Sequence, residues 1–82
     1  MSIISLVKLN EGKEAKVVSV MGGQMANKRL ADLGLTPGIK IKVLNKAPLF
    51  GPVEIEVRGS KLVLGQGLAA KVLVENKNEN EK

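Results

Sequence analysis

The 82-residue chain has no cysteine, histidine, tryptophan or tyrosine, and Phe50 is its one aromatic residue. Without cysteine there can be no disulfide, no thiolate nucleophile and no cysteine-held zinc or iron–sulfur site. Without histidine the commonest general base and the commonest metal ligand are missing. Long hydrophobic runs are missing too. The longest uncharged stretch, between Lys16 and Lys28, is eleven residues and contains Gly22 and Gly23. A bilayer-spanning helix needs roughly 20 apolar residues. The opening Met-Ser-Ile-Ile-Ser-Leu-Val-Lys lacks a basic start, and its apolar stretch is too short for a secretory signal. The expected compartment is the cytoplasm.

The residues that are present describe one small folded domain. Apolar residues make up 44% and charged residues 26%, a soluble globular balance with room for one core. The net charge is +5, from 13 Lys/Arg against 8 Asp/Glu. Arg29 and Arg58 are the only arginines. Lysine is a solvated point charge, whereas arginine is the fork that reads phosphates and bases. The balance suits solubility or weak attraction to an anionic surface. The stretch Asn76–Lys82, NKNENEK, has no apolar residue and self-cancelling charge. It reads as a disordered polar tail over 76–82, leaving the domain as 1–75.

Periodicity then places the elements. Ala15–Met21 reads as a strand whose alternation breaks at Val18, which predicts a bulge there or burial on both faces. Gly23–Leu33 reads as a helix, with Ala26, Leu30 and Leu33 on one apolar stripe. Gly34 sits where a helix ends in the left-handed conformation, and Leu35 is placed to pack back on the last turn. Thr36-Pro37-Gly38 is a tight turn. Strands follow at Ile39–Leu44, Val53–Arg58 and Lys61–Leu64, each with period two. Arg58-Gly59-Ser60 joins the last two as a hairpin. Gly65-Gln66-Gly67 reads as a break before a final strand, Lys71–Glu75. A set of strands this short, joined by turns this tight, points to a small closed barrel that leaves no edges.

The segment Arg29-Leu30-Ala31-Asp32-Leu33-Gly34-Leu35-Thr36-Pro37-Gly38 resembles the ferrous iron transport protein A (FeoA) family. The pattern is an Arg-Leu pair, then Leu-Gly-Leu, then Pro-Gly opening a strand. The rest keeps the family order over about residues 6–75: Leu9 and Gly12 before the first strand, then Ala47-Pro48 closing on Gly51-Pro52. The resemblance implies an all-β, SH3-like β-barrel of about five strands, with one short α-helix between the first and second main strands. It also implies a small accessory of a ferrous iron transporter whose membrane subunit carries a GTP-binding domain. A similar barrel ends iron-dependent transcriptional repressors, but no DNA-binding segment precedes the barrel here. The free-standing accessory is therefore the expected form.

The residues offer little for chemistry. Glu54 and Glu56 share one strand face, but their alternation with Val53, Ile55 and Val57 turns that face to water, opposite Lys40 and Lys42. No catalytic residue is expected. Fe(II) favours imidazole with carboxylate. The thioethers of Met1, Met21 and Met25 suit softer ions and usually pack. An oxygen cluster of Glu11, Glu14 and Asp32 is the one conceivable metal site, so no metal or cofactor site is expected. Nucleic acid is the alternative partner for a small basic barrel or transcription-related module. Base stacking, however, needs aromatics, and the lysines are spread along the chain. The leading expectation is a protein-interaction module, with weak self-association left open. Its candidate contacts are the outward apolar residues Leu44 and Val63, with Leu73 beside them, and the loop residues Leu49 and Phe50. The Lys46–Pro52 loop is fenced by Pro48, Gly51 and Pro52. Phe50 either projects from it as an anchor or folds back to plug one end of the barrel.

Overall fold

Alternation of buried β-branched residues with charged ones builds most of this molecule, described over residues 2–76 by a computed structural model. The strands are β1 (Ser2–Ser5), β2 (Glu14–Val20), β3 (Lys40–Lys46), β4 (Val53–Val57), β5 (Ser60–Leu64) and β6 (Val72–Asn76). A 3-10 turn spans Leu6–Lys8, and the helices are α1 (Gly23–Asp32) and α2 (Gln66–Ala70). The sheet is antiparallel throughout, in the order β1-β6-β2-β3-β4-β5. It forms a small SH3-like barrel around one core.

Several expectations need correction. Among the described residues there are six strands where about five were expected; the additional one is β1, whose Ser-Ile-Ile-Ser is too short to show a period. Its Ile4 faces Val74 and its Ser2 faces Asn76. Asn76 therefore belongs to β6 and not to the tail, while residues 77–82 lie outside the described residues. There is also a second helix. The Gly65-Gln66-Gly67 break is the start of α2, which is held by the burial of Ala69 and the half-burial of Leu68. Finally, among the described residues no hydrogen-bonded strand pair closes the barrel: β1 and β5 remain as edges.

Both irregularities of the sheet are bulges. The register slips between Val17 and Ser19 on β2, as the sequence implied, and between Val43 and Asn45 on β3. A bulge places one extra residue on its strand and sharpens the bend, which helps six short strands curl around a core. Leu6, Leu30, Val43, Ile55, Val72 and Val74 are fully buried, and no polar or charged residue is buried among those described.

The end of α1 follows from one glycine. Gly34 takes φ +92, and its N–H donates to Ala31 O at 2.9 Å, while Leu35 N–H donates to Leu30 O at 2.9 Å. This is a Schellman stop, in which the residue after the glycine packs on the helix. Leu35 is accordingly 1% exposed. Leu33, expected on the buried stripe, is 40% exposed. The stop unwinds the chain at Leu33 and hands its place in the core to Leu35.

Candidate interaction surface

The connection between β3 and β4 folds into a stiff hairpin tip. Ala47 N–H donates to Pro52 O at 3.0 Å, and Gly51 N–H donates to Pro48 O at 3.2 Å. The Pro48–Gly51 turn has Leu49 at φ 59 and Phe50 at φ 61. Two successive positive-φ residues are the mark of a type I′ turn, a place normally filled by Asn-Gly. Leucine and phenylalanine pay steric strain there, of about 1 kcal/mol or more apiece. The surroundings hold them in it. Two prolines fix the flanks, and Gly51 lets the chain cross itself, since a Cβ there would lie 2.6 Å from the Ala47 Cβ. The stem is stapled to the segment after the 3-10 turn. Lys46 N–H donates to Glu11 Oε2 at 2.8 Å, and Lys46 Nζ donates to Leu9 O at 3.1 Å.

The tip leaves Leu49 93% and Phe50 85% exposed. Phe50 is therefore no plug, and the core is filled without it. Leu44 and Val63 lie near the base of the same hairpin. Val63 faces Glu54 across β4–β5, and Leu44 is the bulged residue beside Asn45, which faces Glu54 from β3. Val63 is exposed, whereas Leu44, the extra residue of the bulge, is half-buried. Leu73 does not join them. It is half-buried between Ser5 and Ser19.

The charged face of the sheet is mixed. Glu14, Lys42, Glu56 and Lys61 face one another in turn across β2, β3, β4 and β5, so signs alternate along the row. Lys42 meets Glu56 as expected. Lys40 instead faces Lys16 and reaches Glu14, with Nζ to Oε1 at 3.8 Å. Such a row spreads positive charge out and makes no continuous basic track. A shallow groove between α1 and β2, lined by Ser19, Val20, Asn27, Ala31, Leu35 and Pro37, contains no ionisable side chain.

Among the described residues no three acidic side chains gather as a metal site. Glu11 is engaged by the Lys46 amide and Glu14 by Lys40. Anaerobic calorimetry of the full chain with Fe(II) is therefore expected to show no saturable site of micromolar affinity. One tight stoichiometric site would overturn that expectation.

The FeoA domain model matches residues 4–76. The chain belongs to the FeoA family. A protein named "Putative Fe(2+) transport protein A" from Methanocaldococcus jannaschii is 40% identical over 75 residues, covering 88% of this chain and 89% of that protein. The crystal structure of an iron uptake regulatory protein (FeoA) matches with a TM-score of 0.83 and 36% identity, over 92% of this chain and 97% of the other. A manganese-dependent transcriptional repressor in complex with manganese shares the fold. Its TM-score is 0.83 at 17% identity, over 92% of this chain and 37% of the repressor. The FeoA-like motif residues Arg29, Leu30, Leu33, Gly34, Leu35, Pro37 and Gly38 form the end of α1 and the turn that leads into β3. Within that turn Ile39 N–H donates to Thr36 O at 3.1 Å. They lie apart in sequence from the hairpin tip. No helix among the described residues is long and apolar enough to cross a membrane.

Proposed function

We propose that this FeoA-family chain is a non-catalytic, cofactor-free cytoplasmic accessory of a ferrous iron transport system. It acts by docking on the GTP-binding membrane transporter through the β3–β4 hairpin tip. Leu49 and Phe50 are the anchors, with Leu44 and Val63 at their base. The observation that carries this reading is the pairing of strain with exposure. The two most exposed large apolar side chains besides Met25 stand on consecutive left-handed residues. Strained backbone of this kind persists where the projected side chains serve a purpose. A rigid tip loses little freedom on binding, and burying a phenylalanine yields a couple of kcal/mol, about 1.5–3. Iron itself passes through the partner, since this chain offers no imidazole or thiolate to hold it.

The test is Leu49→Ser with Phe50→Ser. The doubly substituted chain is expected to keep its melting temperature, because neither side chain is packed. It should lose co-purification with the tagged transporter and lower ferrous uptake in cells. Unchanged association and unchanged uptake at wild-type stability would sink the proposal.

A further inference from the structure

The free edge of β5 offers a second contact, which shares only Val63 with the docking surface. β5 has β4 on one side and no strand on the other among the described residues. The turn Arg58-Gly59, at φ 53 and φ 81, joins Val57 to Ser60, which face each other. In such a two-residue hairpin the flanking pair exchanges both hydrogen bonds, and bonded and non-bonded pairs then alternate. Ser60, Leu62 and Leu64 therefore bond to β4, while Lys61 and Val63 turn their N–H and C=O groups outward. Among the described residues no backbone bond outside the sheet uses either one. The strand has no proline and no bulge, and its register is regular over all five pairs. Lys61 is its one charge, and Glu56 directly opposite on β4 offsets it. An edge lysine normally discourages pairing, and here the charge of Lys61 is the one such guard on the strand.

We infer that β5 pairs with β5 of a second copy of this chain, antiparallel about a two-fold axis through Leu62. The register makes the edge self-complementary. Lys61 falls opposite Val63 of the copy and Val63 opposite Lys61, so both outward pairs exchange N–H···O=C bonds, four in all. On the inner face the half-buried Leu62 meets its own counterpart in the close, non-bonded type of pair. On the outer face the aliphatic stem of Lys61 covers Val63, which is 62% exposed in the single chain. No like charges fall directly opposite. Slipping the register by one residue would lose the outward pairs altogether. The contact is short and so belongs to the weak, transient class of interface. Each copy carries +5, so added salt strengthens the pairing by screening repulsion.

Sedimentation equilibrium of the full chain, from about 0.02 to about 1 mM, tests this without any transporter. Its failure is therefore separate from failure of the docking proposal. The mass should climb from one chain towards two, more so at high salt. Val63→Pro removes an outward N–H and no β4 bond, a substitution that edge strands tolerate. It should weaken the association about tenfold or more at an unchanged melting temperature. Hydrogen exchange on the unsubstituted chain gives a second measure that does not depend on how the variant folds. The Lys61 and Val63 amides should slow as concentration rises. A one-chain mass at every concentration overturns the inference. So does a dimer indifferent to Val63→Pro, or one in which those two amides exchange at their dilute rates.

Discussion

Leu30→Ala is expected to cost about 2–5 kcal/mol and to leave much of the population unfolded. Leu30 is fully buried at the last turn of α1 and joins the same cluster as Leu35, Ile41 and Val43. It also supplies the carbonyl that receives Leu35 N–H, so it sits where helix, Schellman stop and sheet converge. A cavity there has little chance to collapse, because a barrel wall of hydrogen-bonded strands cannot close in on it. Small domains hold only about 5–15 kcal/mol in total, and this one is at the short end. Urea titration followed by circular dichroism gives the measurement. The matched control is Leu33→Ala on the same helix end, expected to shift stability by well under half as much, because Leu33 is 40% exposed. Equal midpoints for the parent and Leu30→Ala would refute the account of the core.

The second large effect goes the other way. Leu49→Asn combined with Phe50→Gly puts the preferred type I′ pair into the turn. It is expected to stabilise the protein by about 1–3 kcal/mol, since two left-handed residues lose their steric penalty and no packed side chain is given up. The same chain should fail to associate with the transporter. A gain in stability with a loss of function is the signature of strain kept for a purpose. Thermal unfolding and co-purification, run on one preparation, read both halves. If the doubly substituted chain unfolds earlier than the parent, the turn is not strained and that part of the argument falls.

Much of this fold was legible in the sequence. β3, β4 and β5 announced themselves through Ile41/Val43, Val53/Ile55/Val57 and Leu62/Leu64, because one face of each lies in the core and the other in water. Gly34 marked the helix stop for the same kind of reason, since few residues other than glycine take that φ cheaply. Leu33 misled because a stripe drawn at 3.6 residues assumes the helix continues, and the stop ends it at Asp32. β1 and α2 were hidden because Ser-Ile-Ile-Ser and Gln-Gly-Leu-Ala-Ala show no alternation or apolar stripe, and tertiary contacts set them. Ser5 Oγ donating to Ala70 O at 2.9 Å is one such contact, and no local pattern encodes it. At the tip the sequence supplied Phe50 and the fencing prolines, but it could not choose between projection and plugging. The choice rests on a pair of backbone angles and on the staple from Lys46 to Glu11, 35 residues apart.

The pairing of Ser2 with Asn76 has a consequence for how this domain can be wired into larger proteins. Entry and exit lie side by side at one edge of the sheet. A host chain could therefore pass through the domain and return almost to where it left. Splicing the barrel into a surface loop would stretch neither partner. Joining the two ends with a short linker and reopening the chain elsewhere, at Arg58-Gly59 for instance, should preserve the same core. The hairpin tip, built from β3 and β4, would keep its place through such rearrangements. Neither of its strands carries an end of the described chain.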